Sequence, residues 1–285
     1  MVLKKQTDIT RYISLKNPRR RVKGIFFGFG LSLFVANPLF ATDTTVAAGN
    51  TLDNFTTSTS STKDNVYIYG TTNNLTVEYY DKAYVYDGGI SNKTNLVDYY
   101  SHLYVKEGGT ANQTKLSASS AYMYVENGGT ANNTSVNYGK MYVDGGLAET
   151  TTVGVYDGTE GYLYVKNGGV VNNTKVVNGT LYVENGGTAN TVTIDGKDTK
   201  YYDHAYLNVS NGGTAKNVTL VDSYSHLTAT AGAIVDGLTI KTNDSDLNIS
   251  TDATITNATQ NGVAVGIVDK VATGFTLNDG STLNV

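Results

Sequence analysis

Cysteine and tryptophan are absent from this sequence of 285 residues, which contains only two prolines. Both prolines, Pro18 and Pro38, lie within the first 41 residues, and so do all four arginines. The lack of cysteine excludes thiolate zinc sites, catalytic thiols and disulfide scaffolds. Residues 42–285 must therefore be held together by strand pairing and side-chain packing, without covalent cross-links.

Basic residues are also scarce beyond residue 41. The whole chain has a formal net charge of −4, but residues 1–41 hold eight Lys and Arg against one Asp. Residues 42–285 therefore contain 13 basic and 24 acidic residues, a net charge of −11. Nucleic-acid affinity depends on cationic contacts with phosphate, so we expect no nucleic-acid partner.

Residues 1–41 have the pattern of a signal peptide. A basic stretch ends at Lys23, and the apolar run Gly24–Ala36 follows it. Its 13 residues are too few for a membrane-spanning helix, which needs about 20. The helix-breaking Asn37-Pro38 and the small Ala41 indicate cleavage after Ala41. The sequence thus predicts export through the inner membrane; an uncleaved anchor is the alternative.

A repeat of about 20 residues fills most of the remaining chain. Its pattern is apolar-Tyr-Val-x-x-Gly-Gly-x-Ala-x-Asn, and two short segments of alternating polarity flank the glycines, which is the period of strands. Clear copies are Leu103–Asn112, Met123–Asn132, Leu163–Asn172 and Leu181–Asn190; relatives begin at Ala83, Met141, Leu207, Leu227 and Leu247, and Phe275 is expected to open another. No stretch keeps a helical apolar period, so the repeat predicts strands.

The copies show which side chains are buried, because they form a substitution series within one chain. The first and third positions are apolar in every copy, whereas the second is tyrosine in six copies and Asn or Thr in later ones, such as Asn208 and Thr228. A position that accepts Asn and Thr faces solvent. We therefore predict an all-β fold, a parallel β-solenoid (β-helix) of about ten coils stacked about 4.8 Å apart. An antiparallel β-sandwich is the alternative.

This interpretation divides the chain into four parts. Residues 1–41 are the signal peptide, 42–82 an N-terminal cap with the first coils, 83–260 the repeat solenoid, and 261–285 a further incomplete coil. The absence of proline from residues 42–285 fits, because proline cannot donate to an interior sheet ladder.

The repeat core resembles that of a known family. Residues Gly108–Thr114 read Gly-Gly-Thr-Ala-Asn-Gln-Thr, and Gly128–Thr134 read Gly-Gly-Thr-Ala-Asn-Asn-Thr. This motif resembles the repeats of AIDA-type autotransporter adhesins, the self-associating passenger domains of Gram-negative bacteria, over residues 83–260. The resemblance implies a right-handed β-helix that is secreted or displayed on the cell surface and acts in cell adhesion, autoaggregation or biofilm formation.

One feature of that family is missing here. Its members carry a C-terminal β-barrel that inserts into the outer membrane and exports the passenger, whereas this sequence stops at Val285 within an apparent new repeat. No run of alternating membrane strands follows residue 260. We expect either a truncated chain or export by a separate outer-membrane translocator.

Candidate catalytic and metal-binding residues are few. His102, His204 and His226 each read as turn residues beside Tyr and Asp, and a His-Asp pair could serve a polysaccharide-cleaving β-helix as acid and base. Residues 96–103 and 220–227 are near-copies, so His102 and His226 should lie on distant coils. The sequence also lacks the Gly-Gly-x-Gly-x-Asp repeat of calcium-loaded β-rolls. We expect no enzyme, cofactor or metal.

The repeated tyrosine is the candidate contact position. If the register is right, stacked rings form an exposed strip that could bind host-surface glycans or proteins, or another copy of the rod; stacking that merely stabilises the strands is the alternative. The strip comprises Tyr84, Tyr104, Tyr124, Tyr142, Tyr164 and Tyr182. The alternative functions are a stalk without its own ligand and a polysaccharide-degrading enzyme.

Two kinds of threonine-containing position bear on glycosylation. Asn-x-Thr recurs, as at Asn112 and Asn132, and we interpret it as part of the repeat rather than as an N-glycosylation signal. The family resemblance separately implies heptose on Ser or Thr in repeat turns. Suitable positions are Thr110, Thr130, Thr188 and Thr214.

Overall fold

The computed structural model describes residues 24–25, 43–57, 63–198, 203–268, 271–278 and 281–285. All the secondary-structure elements in these residues are β-strands, and the 30 strands form two long sheets. The predicted signal peptide lies outside the described residues except for the two-residue strand Gly24–Ile25.

The first sheet, sheet A, holds one strand of each coil. Its 13 strands pair in parallel, each with the strand of the neighbouring coil. They are β1 Gly24–Ile25, β2 Thr44–Val46, β4 Asn65–Ile68, β7 Lys82–Val85, β10 His102–Val105, β13 Tyr122–Val125, β15 Gly139–Asp144, β17 Gly161–Lys166, β19 Gly179–Val183, β21 Ala205–Val209, β23 Ser225–Ala229, β25 Leu247–Ile249 and β30 Leu283–Asn284.

The second sheet, sheet B, holds the rest of each coil and has 17 strands. They are β3 Thr51–Asp53, β5 Thr71–Asn73, β6 Thr76–Val77, β8 Ile90–Asn92, β9 Asn95–Leu96, β11 Thr110–Asn112, β12 Lys115–Leu116, β14 Thr130–Val136, β16 Leu147–Val153, β18 Val170–Val176, β20 Thr188–Ile194, β22 Thr214–Leu220, β24 Ile234–Ile240, β26 Thr254–Thr256, β27 Ala258–Gln260, β28 Val263–Val268 and β29 Val271–Thr273.

The strand pairing confirms the predicted β-solenoid of about ten turns. Leu103 pairs with Ala83 on one side and Met123 on the other, and the second and third repeat positions pair in the same register. All ladders between neighbouring coils up to β27 are parallel, so the antiparallel sandwich is excluded. The first- and third-position side chains fill a continuous apolar interior. Leu103, Met123 and Leu181 lie in this interior and are fully buried.

The two turn glycines are required for different reasons. The first, such as Gly168 with φ of +85°, adopts a left-handed conformation that L residues avoid. The second lies against the preceding coil: a Cβ on Gly169 would stand 2.2 Å from the carbonyl oxygen of Val143. Sequence patterning identified the turn but not this close backbone approach.

Differences in coil length are concentrated at one corner of the solenoid, where sheet B leads into sheet A. Only two residues separate β18 from β19, whereas ten separate β20 from β21. The opposite corner, which carries the glycines, keeps four residues in most coils. We call the first the variable corner; it absorbs insertions so that both sheets stay in register.

The last described coil departs from the predicted pattern. Strands β27, β28 and β29 form an antiparallel meander, and the residues that continue the sheet A ladder are Leu283–Asn284, where Leu283 pairs with Leu247. The expectation that Phe275 opens the next repeat was therefore wrong. The alternation around Phe275 matches the repeat locally, but the intervening meander shifts the register by eight residues.

Candidate binding surface

A column of stacked tyrosines runs along the outer face of sheet A. Neighbouring rings of the six predicted tyrosines are 4.7–5.1 Å apart between centroids and within 11° of parallel. Tyr67 extends the column by one ring, 5.5 Å from Tyr84. We call Tyr67, Tyr84, Tyr104, Tyr124, Tyr142, Tyr164 and Tyr182 the tyrosine column. The sequence search missed Tyr67 because its coil lacks the Gly-Gly turn.

Stacking determines what the column can present to a partner. Each ring covers the faces of its neighbours, since parallel stacking at these distances brings the rings into contact. The rings are half-buried, and their edges and hydroxyl groups form the outer surface. At one end the next residue in register is Asn208, and at the other it is Thr45. The column therefore offers a ridge of hydroxyl groups, with free ring faces only at its ends.

The column is uncharged near neutral pH. Burial, and then the neighbouring tyrosines, raise the pKa of the Tyr104 and Tyr124 hydroxyls above the usual value. The same two causes raise the pKa of Tyr164 to about 12. The hydroxyl groups consequently act as neutral donors and acceptors of hydrogen bonds.

Two ion pairs lie beside the column. Lys106 forms an ion pair with Glu126 and lies 5.1 Å from the centre of the Tyr104 ring. Lys166 Nζ lies 3.7 Å from Asp144 Oδ2. All four side chains are 30–45% exposed, so these pairs add little stability. They do reduce the net charge along this edge of the column.

The outer face of sheet B carries a ladder of side-chain amides. Nδ2 of Asn132 donates to Oδ1 of Asn112, and Asn112 donates to Asn92, each over 2.9 Å. In the Asn-x-Thr units that follow the glycine turns, which begin at Asn92, Asn112, Asn132 and Asn172, the middle residue is left-handed, as Gln113 is, and the threonine, such as Thr114, is buried. The recurrence of Asn-x-Thr thus has a structural cause.

The four candidate O-glycosylation residues also lie on sheet B. Each is the first residue of a strand and not part of the turn, which corrects the expected placement. Thr110 pairs with Thr130, and Thr188 with Thr214. All four are half-buried and lie on the outer face. They therefore form two pairs, each made by threonines of neighbouring coils.

The histidines are placed differently from the sequence interpretation. His102 is the first residue of β10 and His226 the second residue of β23, so neither is a turn residue, and they lie six coils apart in sheet A, as expected. His204 and His226 are neighbours: Nδ1 of His204 lies 2.7 Å from Nε2 of His226. Nδ1 of His226 is 3.4 Å from Asp246 Oδ2. Sequence reasoning missed this pair because His204 precedes strand β21 and is out of register with His226, whose partner in the ladder is Tyr206.

Burial disfavours the charged form of His226. Desolvation, and then the charge of His204, lower the pKa of His226 below its usual value. A hydrogen bond between the two rings needs one donor and one acceptor, so the pair holds at most one extra proton while it is intact.

The described residues contain no group of three or more His, Asp or Glu arranged to hold a metal ion. Nor do they include a helix long and apolar enough to cross a membrane.

Comparison with known proteins identifies the fold. The sequence matches no protein-family model and no curated protein. Its fold is shared with a solved structure. A crystal structure described as a "TibC-catalyzed hyper-glycosylated TibA55-350 fragment" matches with a TM-score of 0.51 and 21% sequence identity, over 84% of this chain and 93% of that chain. The two chains thus share the β-solenoid architecture.

Proposed function

We propose that this protein is a secreted or surface-displayed, non-enzymatic adhesin passenger that mediates cell adhesion or autoaggregation in a Gram-negative bacterium. The observation that carries the proposal is the tyrosine column, seven uncharged rings in register along one face. Many weak contacts at a regular spacing add through multivalency. The AIDA-type repeats and the fold shared with the TibA fragment support this function.

The partner is a host-surface glycan or protein, or a second copy on a neighbouring cell. The half-buried hydroxyl ridge suits either, because tyrosine combines contact area with a hydrogen-bonding group. A second copy also has the same interstrand spacing, so its column could align with this one along several coils.

Display of residues 42–285 on a bacterium that neither aggregates nor adheres tests the proposal. We expect cells to clump or to bind epithelial surfaces, and the effect to fall when Tyr104, Tyr124 and Tyr142 are changed to asparagine. Asparagine is the matched replacement because Asn208 and Asn248 occupy the same position in later coils. Circular dichroism of the purified variant checks that the solenoid is retained.

Two results would change the interpretation. Cells that display the intact rod but bind nothing would favour a stalk without its own ligand. Release of sugar products from a panel of polysaccharides, abolished by His226→Ala, would favour an enzyme.

We also propose the paired threonines Thr110, Thr130, Thr188 and Thr214 as acceptors of O-linked sugar. The TibA fragment that shares the fold is described as hyper-glycosylated by TibC. The outward, half-buried position of all four residues supports access. Co-expression with TibC followed by intact-mass measurement tests this; an unchanged mass, or equal added mass after all four are changed to alanine, would reject these sites.

A further inference from the structure

Two consecutive coils carry an acidic residue followed by two tyrosines at the variable corner. Glu78-Tyr79-Tyr80 lies between β6 and β7, and Asp98-Tyr99-Tyr100 lies between β9 and β10. The backbone N–H of Tyr80 donates to the carbonyl oxygen of Tyr99 over 3.0 Å, so the two segments lie directly beside each other. We call these six residues the acidic tyrosine corner.

The rings at this corner are arranged differently from those of the tyrosine column. Tyr80 and Tyr100 stack at 5.1 Å, but Tyr79 and Tyr99 meet their neighbours edge to face, at 63° and 75°. The four residues are 38–52% exposed, with Tyr99 the most exposed. Edge-to-face packing leaves aromatic surface open to solvent, which the closed stack of the column does not.

Backbone strain marks the same corner. Tyr80 and Tyr100 adopt left-handed conformations, with φ of +62° and +58°, and such conformations are uncommon for bulky residues. The fold does not demand them, because the next coil has Ser119-Ser120 there and neither serine has a positive φ. Strained, exposed tyrosines that the scaffold does not require indicate a role in binding.

The charge at the corner is negative. The pKa of Glu78 is raised by burial and then by the charge of Asp98, which places the two carboxylates within electrostatic reach of each other. No ion pair among the described residues joins either one to a lysine. Lys82 is the first residue of the adjacent strand β7 in sheet A. The pKa of His102 is lowered mainly by burial and further by the charge of Lys82, so Lys82 lies near His102. Asp81, which follows Tyr80, is buried, and its pKa is raised by burial to about 7.

We propose that the acidic tyrosine corner binds an amino-sugar polymer. The apolar face of a pyranose ring packs on exposed tyrosine, and a protonated amine is attracted both by the aromatic face and by Glu78 and Asp98. The net charge of −11 over residues 42–285 favours a cationic ligand. This inference rests on the proposed adhesive function and specifies one ligand class at a site beside the tyrosine column. Tyr122 connects the two, since its ring stacks on both Tyr100 and Tyr124.

Titration of the purified full chain with a glucosamine oligomer tests the inference. Tyrosine fluorescence can report binding because the chain has no tryptophan, and calorimetry gives the affinity. We expect the glucosamine oligomer to bind, and the N-acetylglucosamine oligomer of equal length to bind at least about tenfold more weakly, because it lacks the ammonium groups. Added salt should weaken the binding.

Variants separate the corner from the rest of the surface. The double change Tyr79→Ser and Tyr99→Ser, and separately Glu78→Gln with Asp98→Asn, should each lower the affinity at least about tenfold. Tyr138→Ser is the matched control, since Tyr138 is 39% exposed at the variable corner of a later coil. Serine is tolerated at this corner, as Ser119 and Ser120 show.

Three results would overturn the inference: equal affinity for the acetylated oligomer, equal affinity for an oligolysine peptide, or unchanged affinity in the corner variants. Each leaves the cell-display assay untouched. Cells that adhere without glucosamine binding would keep the proposed function and reject this ligand, whereas glucosamine binding by a rod that mediates no adhesion would reject the proposed function alone.

Discussion

At the scale of single residues, the buried threonines of the interior are a cost to the fold. Thr114, Thr134, Thr151 and Thr174 stack in one column, each at most 2% exposed, and none of their hydroxyl oxygens has a hydrogen-bond partner. A buried hydroxyl without a partner costs about 1–3 kcal/mol. The same column continues as Val192 and Val218, so the interior accepts an isosteric apolar side chain.

Thr134→Val should therefore stabilise the protein, by about 1 kcal/mol, because it removes the unpaired hydroxyl without changing volume. Thr94→Val should instead destabilise the protein, since Thr94 Oγ1 lies 2.6 Å from Ser91 Oγ in a buried hydroxyl pair that the change would break. Chemical denaturation of the two variants measures both changes. Destabilisation by Thr134→Val would mean that its hydroxyl is hydrogen-bonded after all.

The sequence predicted burial of apolar residues but not of these hydroxyls. Val85 and Val105 alternate with polar neighbours, so periodicity alone places them inside. Thr114 and Thr134 sit in a polar Asn-x-Thr context, and no local pattern distinguishes a buried threonine from a turn threonine. Only the left-handed residue before each one, which interrupts the alternation of inward and outward side chains within the strand, turns these side chains inward.

At the scale of one coil, the Gly-Gly turn sets how closely neighbouring coils approach. Gly168→Ala introduces a Cβ into open space and incurs only the left-handed backbone penalty, about 1–2 kcal/mol. Gly169→Ala places its Cβ against the Val143 carbonyl of the coil below, so the coils must separate. We expect Gly169→Ala to destabilise the protein more than Gly168→Ala does, by up to about 3 kcal/mol.

Thermal or denaturant unfolding of the two variants compares them directly. The chain itself has Ala233 and Ala253 at the second glycine position of late coils, which shows that the spacing can relax. Equal destabilisation by both changes would mean that such relaxation is easy in the middle of the rod as well.

Sequence reasoning recovered the coil because each copy repeats the same apolar positions. It placed Leu103, Met123 and Leu163 in one ladder, and the structure confirms that ladder. It failed at Phe275, because a period cannot be extrapolated across the inserted meander. It also missed the His204–His226 pair, because His204 lies outside strand β21 and the two histidines are out of register. It also passed over the acidic tyrosine corner, since that corner belongs to no repeat position.

At the scale of the whole molecule, charge opposes side-by-side contact between copies. Residues 42–285 carry a net charge of −11, and the ion pairs beside the tyrosine column are already formed within one chain. Repulsion between exposed charges is screened as ionic strength rises, with a Debye length of about 30 Å at 0.01 M and about 8 Å at 0.15 M. Contact through uncharged tyrosines is not weakened in this way.

Static light scattering of the purified chain should therefore give a second virial coefficient that falls as salt is raised from about 0.01 M to about 0.15 M. The Tyr104, Tyr124 and Tyr142 to asparagine variant serves as the control, because it keeps the charge and removes part of the column. A coefficient that rises with salt would indicate that copies attract through ion pairs, which salt weakens, and not through the tyrosine column.

The variable corner has a consequence for how such a rod can change over generations. Because two or ten residues fit there without moving either sheet out of register, a segment can be lengthened, exchanged or duplicated at one coil while the others keep their contacts. Recognition can then diversify coil by coil on an unchanged scaffold. The same tolerance marks this corner as the place to graft a foreign epitope.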